Sequence, residues 1–339
     1  MLIVPDAPAD GAQGADKPAE SKVVTGLGWL LRHQDADGGW HDPATTGTVL
    51  LVFLGVGETP QNGSRRETVK KALTSLIAGQ DAEVCLVVRT SSRSLRDHAI
   101  ASLALCEAEG MTGGRWLEEP AQRAVQFALE SRTPGGAWGL LPPDDEEIDI
   151  ETTAWMSLLL KSAAMSELDV DRTAFPEILS ALDRVTNPST GRVQPTRRTS
   201  APLTEDAATA IGFTVRVLLG TTAEGRRSET STDWLLAHPL AAKGADWLLA
   251  RAPTADTADL AYVDFGSIGM ISLGGDRFRA WLPALSAIVA RPSVADGPDE
   301  GTWDPPGGGG EVERIWTTAY HLRFCAFYDG PVGHASMRK

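Results

Sequence analysis

Asp149 and Glu151 are the first candidates for chemistry in this sequence. They end an acidic strip, 144–151, and directly precede the apolar segment 152–163. A carboxyl group in this position can transfer a proton to a ligand. In the first turn of a helix it can equally stabilise the positive helix end, or accept hydrogen bonds from the backbone as a cap. The sequence leaves both roles open.

Other reactive side chains open comparable apolar segments. Asp97 and His98 are adjacent, but the spacing ties neither a serine nor a cysteine nucleophile to them. The run 307–310 consists of glycine without a lysine or a preceding strand, which argues against a phosphate loop. Asp206 and Asp264 open further apolar segments. We expect them to surround one opening together with Asp97, Asp149 and Glu151.

Helices are needed to position these residues. The residues Ala124, Phe127, Ala128 and Ser131 follow the i, i+3, i+4, i+7 spacing of one helix face. The corner 134–139 contains proline and two glycines, which end a helix at low cost. The segment 152–163 is apolar or small on nearly every side, and such a helix is buried. The unit is predicted to be an outer helix, a turn and an inner helix.

This unit recurs along the chain. The residues that open the inner helices recur at intervals of roughly 50–58 residues, which yields six helix pairs. Because apolar inner helices bury one another only in a ring, we predict an all-α (α/α)6 toroid rather than an open solenoid. The toroid is expected to span 21–330 as one domain, with a disordered N-terminal tail, 1–20, and a C-terminal tail, 331–339.

Composition narrows the function further. A formal net charge of -14 and a pI of about 4.9 argue against nucleic-acid binding. No apolar run approaches 18 residues and the N-terminus lacks a basic signal-peptide start, so no transmembrane segment is expected. The three cysteines, Cys85, Cys106 and Cys325, are widely spaced and suit a reducing compartment, which predicts a cytoplasmic protein.

The corners resemble those of a known family. The residues Gly26, Trp29, Leu30 and Gln34, followed by Gly-Gly-Trp at 38–40, are similar to the Gln-Trp motif of squalene-hopene cyclases. The segment 124–138 repeats the motif without the glutamine, and 301–305 resembles its C-terminal version. The segment 97–108 resembles bacterial prenyltransferase and squalene-oxidase repeat proteins. These matches cover roughly 22–328 and imply the α/α toroid superfamily of terpene cyclases and protein prenyltransferases.

The resemblance implies two chemistries to test. Class II terpene cyclases protonate an alkene with the middle Asp of an Asp-x-Asp-Asp motif, and the matching residues here are Asp149-Ile150-Glu151-Thr152. Glu151 then occupies the position of the proton donor. Protein prenyltransferases hold zinc through an Asp-x-Cys pair and a later His. Asp264 matches that Asp and His321 follows, but Gly266 replaces the Cys, so no zinc or other cofactor is expected.

The sequence thus favours a toroid with an apolar cavity, an acidic rim and degenerate catalytic motifs. We expect a binding or protein-interaction module for a partner protein segment or an apolar, isoprenoid ligand. The alternative is a class II terpene cyclase-like enzyme with Glu151 or Asp149 as general acid. The residues expected at the cavity and rim are Asp97, His98, Thr152, Thr153, Trp155, Asp206, Asp264, Phe265, Trp316 and His321.

Overall fold

The computed structural model describes residues 18–80, 94–140, 147–195, 203–220, 234–235 and 237–329. Over these residues the secondary structure is helical, apart from an isolated bridge between Thr186 and Val193. The α-helices are α1 (Pro18–Arg32), α2 (Pro43–Gly55), α3 (Arg66–Ala78), α4 (Ser94–Thr112), α5 (Arg115–Glu130), α6 (Ile150–Met165), α7 (Ala174–Arg184), α8 (Glu205–Leu219), α9 (Pro239–Ala250), α10 (Leu260–Leu273), α11 (Gly275–Val289) and α12 (Glu311–Asp329).

Some sequence predictions concern the ends of the chain. The C-terminal tail, most of the N-terminal tail and Cys85 lie outside the described residues. Helix α1 begins at Pro18, three residues before the predicted domain start. Cys106 and Cys325 are buried. None of the helices described is long and apolar enough to cross a bilayer.

The helices form two concentric rings. The inner ring consists of α2, α4, α6, α8, α10 and α12; each contacts the next, and α12 contacts α2. The outer ring consists of α1, α3, α5, α7, α9 and α11, which pack against the inner helices. The predicted (α/α)6 toroid is therefore confirmed, including its closure between the last hairpin and the first.

The two rings differ in burial as the sequence patterns require. Helix α2 is buried at every position from Ala44 to Leu54, and α6 at nearly every position from Ile150 to Ala164. The outer helices α5 and α7 bury only one face. An inner helix has neighbours on all sides, so its polar side chains must either find partners within the protein or lie at its ends.

The corner tryptophans Trp40 and Trp138 join the two helices of their own hairpins. The Trp40 indole donates a hydrogen bond to the Leu30 carbonyl at 2.8 Å, and the Trp138 indole donates to the Ala128 carbonyl at 2.9 Å. The backbone N–H of Trp40 donates to Thr46 Oγ1, and that of Trp138 donates to Thr153 Oγ1. Each corner tryptophan thereby joins the preceding outer helix to the following inner helix, as the motif predicts.

The corner glycines allow neighbouring hairpins to approach. A Cβ on Gly38 would lie 2.8 Å from the Lys71 carbonyl oxygen in α3, the next outer helix. Gly136 contacts Glu177 of α7 in the same way. Gln34, the glutamine of the motif, donates to the Thr68 carbonyl of α3 at 3.0 Å. The motif thus packs each hairpin against the next.

The same contact closes the ring. A Cβ on Gly301, whose φ is +86°, would lie 2.6 Å from Thr25 Cγ2 and 2.8 Å from the Thr25 carbonyl carbon in α1. Lys22 Nζ donates to the Val289 carbonyl at 3.1 Å and to the Arg291 carbonyl at 2.9 Å. The last corner and the end of α11 therefore hold the first helix in place.

We predict that Gly301→Ala destabilises the protein more than Gly297→Ala. Both glycines have positive φ, so an alanine costs about 1–2 kcal/mol of backbone strain at either position. A Cβ at position 297 meets no atom within 4 Å, whereas one at position 301 collides with the backbone of α1. The collision should add about 1–3 kcal/mol. Urea unfolding followed by circular dichroism measures both variants, and equal losses would contradict closure at this corner.

Candidate active site at the mouth of the toroid

The inner helices begin at one rim of the toroid. Four of their N-termini are capped by a side chain that accepts a hydrogen bond from the backbone N–H three residues further on. The capping residues are Asp42, Asp149, Thr204 and Asp259. These side-chain oxygens accept hydrogen bonds at the positive helix ends, so their role is structural.

A cavity of about 440 Å³ opens at this rim. It lies between the N-terminal ends of α2, α4, α6 and α12 and is bordered by the last corner. We call it the mouth cavity. The residues that give it chemical character are Arg96, Asp97, Glu151, Glu313, Trp316 and Tyr320.

Arg96 organises the carboxylates of the mouth cavity. Its Nε and Nη2 donate to Asp97 Oδ1 at 2.9 and 2.7 Å, and its Nη1 donates to Glu151 Oε1 at 3.4 Å. Burial lowers the pKa of Arg96, but the negative charges of Glu151 and Asp97 outweigh it and raise the pKa overall. One permanent cation therefore holds two carboxylates from neighbouring inner helices.

Two aromatic side chains of α12 form the opposite wall. The Arg96 guanidinium lies 5.8 Å from the centre of the Trp316 ring, and the indole of Trp316 donates to Thr45 Oγ1 at 3.0 Å. Tyr320 lies one turn further along α12. Burial, followed by the charge of Asp264, raises the pKa of Tyr320, so its hydroxyl stays protonated. The wall offers an aromatic face and a hydroxyl.

An axial cluster fills the toroid below the mouth cavity; we define it as Trp155, Asp264, Phe265 and Arg323. Arg323 Nη1 lies 3.4 Å from Asp264 Oδ2, and its guanidinium lies 5.9 Å from the Trp155 ring on the opposite inner helix. Trp155 and Phe265 meet edge to face at 5.3 Å. Burial raises the pKa of Asp264 to about 6, although Arg323 opposes the shift.

The interior of the toroid differs from the prediction. An apolar cavity was predicted, but the axis holds a buried ion pair between aromatic rings. The sequence pattern predicts Asp264 at the rim, at the start of an inner helix. Helix α10 instead begins at Leu260 with Asp259 as its cap, so Asp264 lies one turn inside and is fully buried.

Several predicted site residues have structural contacts instead. Asp149 Oδ1 accepts the Thr152 N–H at 2.7 Å, and the hydroxyl of Thr153 bonds the backbone of Trp138. His98 is buried, with Nε2 3.1 Å from the Ala124 carbonyl of outer helix α5. These four side chains of the prediction, Asp149, Thr152, Thr153 and His98, do not line the mouth cavity.

Asp206 and His321 also face away from the mouth cavity. Asp206 Oδ1 accepts the indole N–H of Trp247, in outer helix α9, at 2.7 Å. The His321 ring stacks on Trp303 at 4.9 Å, and its Nδ1 donates to the Thr317 carbonyl at 2.9 Å. His321 therefore does not lie across the cavity from Asp264, because it points from α12 towards the outer layer.

Three residues of the mouth cavity and the axial cluster are not predicted from the sequence: Arg96, Tyr320 and Arg323. A signal was present for the last two: both fall on the helix face of Trp316, at i+4 and i+7. Arg96 stands beside Asp97, but nothing local indicates that it reaches Glu151. Among the described residues, no group of three or more His, Cys, Asp or Glu side chains is arranged to hold a metal ion.

No protein-family model and no curated protein sequence matches this chain. Its fold is similar to that of solved sugar-acting enzymes. An inactive variant of an alpha-1,6-mannanase of Salegentibacter sp., with alpha-1,6-mannotetrose, has a TM-score of 0.67 at 11% identity over 93% of this chain and 100% of the mannanase. Cellobiose 2-epimerase from Bacillus thermoamylovorans has a TM-score of 0.59 at 11% identity, over 91% of this chain and 97% of the epimerase.

A third similar structure is an alpha-amylase from Clostridium perfringens, with a TM-score of 0.58 at 8% identity over 93% of this chain and 99% of the amylase. At such identities the likeness establishes the fold. The predicted toroid fold is confirmed, whereas the structures named here give no support to the squalene-hopene cyclase family.

The predicted function and partners are wrong. We expected a cyclase-like module for a protein segment or an isoprenoid, or an isoprenoid cyclase. The mannanase, epimerase and amylase named above are sugar-acting enzymes, and two inactive mannanase variants are in complex with alpha-1,6-mannotetrose and alpha-1,6-mannotriose. The physical reason lies in the mouth cavity, because an apolar ligand would desolvate Arg96, Asp97 and Glu151 without replacing their hydrogen bonds to water.

We predict that Asp149→Ala destabilises the protein more than Glu151→Ala. Loss of the cap should cost about 1 kcal/mol, because the Thr152 N–H is buried and has Asp149 as its hydrogen-bond acceptor. Glu151 is partly exposed and follows the N-cap residue, so its loss should cost less. Thermal unfolding measures both variants. A larger loss for Glu151→Ala would contradict the assignment of the cap.

A second prediction concerns acid sensitivity at His321. Burial, aided by the charges of Arg291 and Lys22, lowers its pKa to about 4, although the hydrogen bond to Thr317 opposes the shift. The stability contributed by neutral His321 is present above its unfolded pKa of 6.5 and is lost as pH falls through about 4. The loss should be on the order of 3 kcal/mol.

The unfolding free energy of His321→Gln should therefore depend less on pH between 7 and 4 than that of the native protein. His41→Asn is the matched control, because His41 is exposed and asparagine tolerates its φ of +58°. Urea titrations at several pH values provide the comparison. Parallel curves for His321→Gln and the native protein would show that His321 is not held neutral.

Proposed function

We propose that the protein is a glycoside hydrolase that cleaves a neutral oligosaccharide in the mouth cavity. The observation that carries this proposal is that the mouth cavity is lined by the carboxylates of Asp97 and Glu151, which come from two neighbouring inner helices and are held by one guanidinium. Hydrolysis of a glycosidic bond commonly requires two carboxyl groups on either side of that bond. The fold shared with mannanases and an amylase supports the choice of substrate class.

The contacts of the two carboxylates suggest different roles. Asp97 accepts two short hydrogen bonds from Arg96, which favour its ionised form, whereas the contact of Arg96 with Glu151 is longer and Glu151 is more exposed. We assign Glu151 as the general acid that protonates the departing glycosidic oxygen. Asp97 then accepts a proton from the water molecule that attacks the anomeric carbon.

With these roles the reaction inverts the anomeric carbon. Asp97 binds the Nε–Nη2 edge of the guanidinium and Glu151 binds Nη1. The Arg96 guanidinium lies between the two carboxylates, so the attacking water molecule must bind beside it; in inverting enzymes the two carboxyl groups are about 6.5–9.5 Å apart. In the Salegentibacter mannanase the inactivating changes fall on two adjacent aspartates. Here the pair comes from two helices, so we derive its roles from this geometry alone.

The remaining groups of the mouth cavity suit a neutral sugar. The exposed face of Trp316 can stack on the C–H groups of a sugar ring, and Tyr320 offers a hydroxyl. Among the described residues that line the mouth cavity, the carboxylates of Asp42, Asp97, Glu151 and Glu313 outnumber the cation Arg96, so phosphorylated or uronic sugars would be repelled. The cytoplasmic location inferred from the cysteines remains a prediction.

We predict that Glu151→Gln and Asp97→Asn each lower glycosidase activity by at least about 100-fold. Alpha-1,6-mannotetrose, alpha-glucans and cellobiose form the first panel, and released reducing ends are measured. Asp276→Asn is the control, because this exposed carboxylate of α11 lies outside the mouth cavity. Melting temperatures show that the variants fold. The proposal fails if no glycan in a broadened panel is cleaved, or if both variants retain full activity.

A further inference from the structure

Trp316 is held at the mouth cavity by a threonine that does not itself line the cavity. The indole N–H of Trp316 donates to Thr45 Oγ1 at 3.0 Å. Thr45 is fully buried in the first turn of α2 and is not among the described residues that line the mouth cavity. Trp316 is partly exposed and does line it. Thr45 can therefore influence a ligand through Trp316.

The threonine is itself fixed at the N-terminus of its helix. Its backbone N–H donates to Oδ1 of the cap residue Asp42 at 2.7 Å. Its side chain is β-branched, and such side chains have few rotamers within a helix. The cap and the helix thus set the position of Thr45 Oγ1 before any ligand binds. This oxygen is a stationary acceptor for an indole on α12, 271 residues away in sequence.

The hydrogen bond determines which part of the indole faces the mouth cavity. The torsion about the Cβ–Cγ bond of a tryptophan is broad, so a ring whose N–H is not fixed can take several tilts. With Nε1 bound to α2, the guanidinium of Arg96 lies over the ring, 5.8 Å from the ring centre. The ring of Tyr320 lies 6.0 Å away at an angle of 44°. The indole therefore presents a flat face beside the carboxylates that Arg96 holds.

This contact differs from the contacts of the corner tryptophans. Trp40 and Trp138 donate to backbone carbonyls of their own hairpins, and no substitution of the acceptor residue removes a carbonyl. Trp316 donates to a side-chain hydroxyl of another hairpin. Its orientation thus depends on the residue type at position 45. Serine retains the acceptor oxygen, whereas valine has a similar shape and lacks it.

We propose that Thr45 is a positioning residue for sugar binding in the mouth cavity. This inference rests on the proposed function for its ligand, a neutral oligosaccharide. A sugar ring stacks its C–H groups on an aromatic face, so the tilt of Trp316 selects the tilt of the sugar. A ring that is already held also avoids the entropy cost of ordering a free side chain on binding. Thr45 therefore acts on affinity rather than on the proton transfers of Glu151 and Asp97.

We expect Thr45→Val to raise the KM for a cleaved glycan by about three- to tenfold and to leave kcat nearly unchanged. Thr45→Ser, which retains the acceptor, should keep the native KM. Thr48→Val is the matched control, because Thr48 is also buried in α2 and its hydroxyl has no hydrogen-bond partner among the described residues. Its KM should equal that of the native protein. Melting temperatures show that the variants fold.

The indole N–H signal of Trp316 in a ¹⁵N–¹H NMR spectrum tests the contact without turnover. The signal is assigned by its loss in Trp316→Phe. In the ligand-free protein, Thr45→Val should shift this signal, whereas Thr45→Ser and Thr48→Val should leave it near its native position. Because Thr45 acts through Trp316, adding Thr45→Val to Trp316→Phe should cause no further rise in KM.

Three results would overturn the positioning role. They are an unshifted Trp316 signal in Thr45→Val, an unchanged KM in that variant, and a further rise in KM when Thr45→Val is added to Trp316→Phe. Thr45→Ala takes the place of Thr45→Val if the latter does not fold.

The same measurements separate this inference from the proposed function. Hydrolysis with an unchanged KM in Thr45→Val would refute the positioning role and retain the hydrolase. If no glycan is cleaved, the proposed function fails, and NMR titration of the native protein and Thr45→Val with alpha-1,6-mannotetrose tests the positioning role instead. Weaker binding by Thr45→Val would support that role. Equal affinities, or a Trp316 signal that the sugar does not shift, would refute it.

Discussion

Closure of the inner ring is the constraint on which the rest of this structure depends. Helix α12 contacts α2, and the corner at Gly301 together with Lys22 fixes α1 against the end of the chain. With the ring closed, every inner helix is surrounded by protein. Polar side chains on these helices are then restricted to the rim, where water enters, or to contacts made inside the ring.

That restriction concentrates charge in two places. At the rim, some acids such as Asp149 cap helix N-termini, whereas Asp97 and Glu151 bind Arg96. On the axis, Asp264 and Arg323 are buried together between aromatic rings. Tyr320 lies between the two ion pairs, and the charges of both act on the pKa of its hydroxyl. The mouth cavity and the axial cluster are thus two neighbouring charged groups, one at the rim and one on the axis, in an otherwise apolar ring.

The Gln-Trp resemblance predicted the fold correctly and the function wrongly, and its contacts explain why. Trp40, Trp138 and Gln34 bond the backbone of the helices that they join, and Gly38 allows the next outer helix to approach. None of these residues lines the mouth cavity. The motif is a device for building helical hairpins into a ring, so it can accompany any chemistry that such a ring supports.

The sequence by itself determined the helical hairpins, their number and the tryptophan corners, and it indicated Asp149 as a candidate cap. These features are local, because apolar periodicity, glycines with positive φ and N-cap residues act within a few residues of the chain. Only the tertiary structure decided which charges meet. Arg96 and Glu151 are 55 residues apart in sequence, and Trp155 faces Arg323 across the ring. A shift of one turn in the start of α10 moved Asp264 from the rim to the axis, because the direction of a side chain depends on where its helix begins and on which helices close around it.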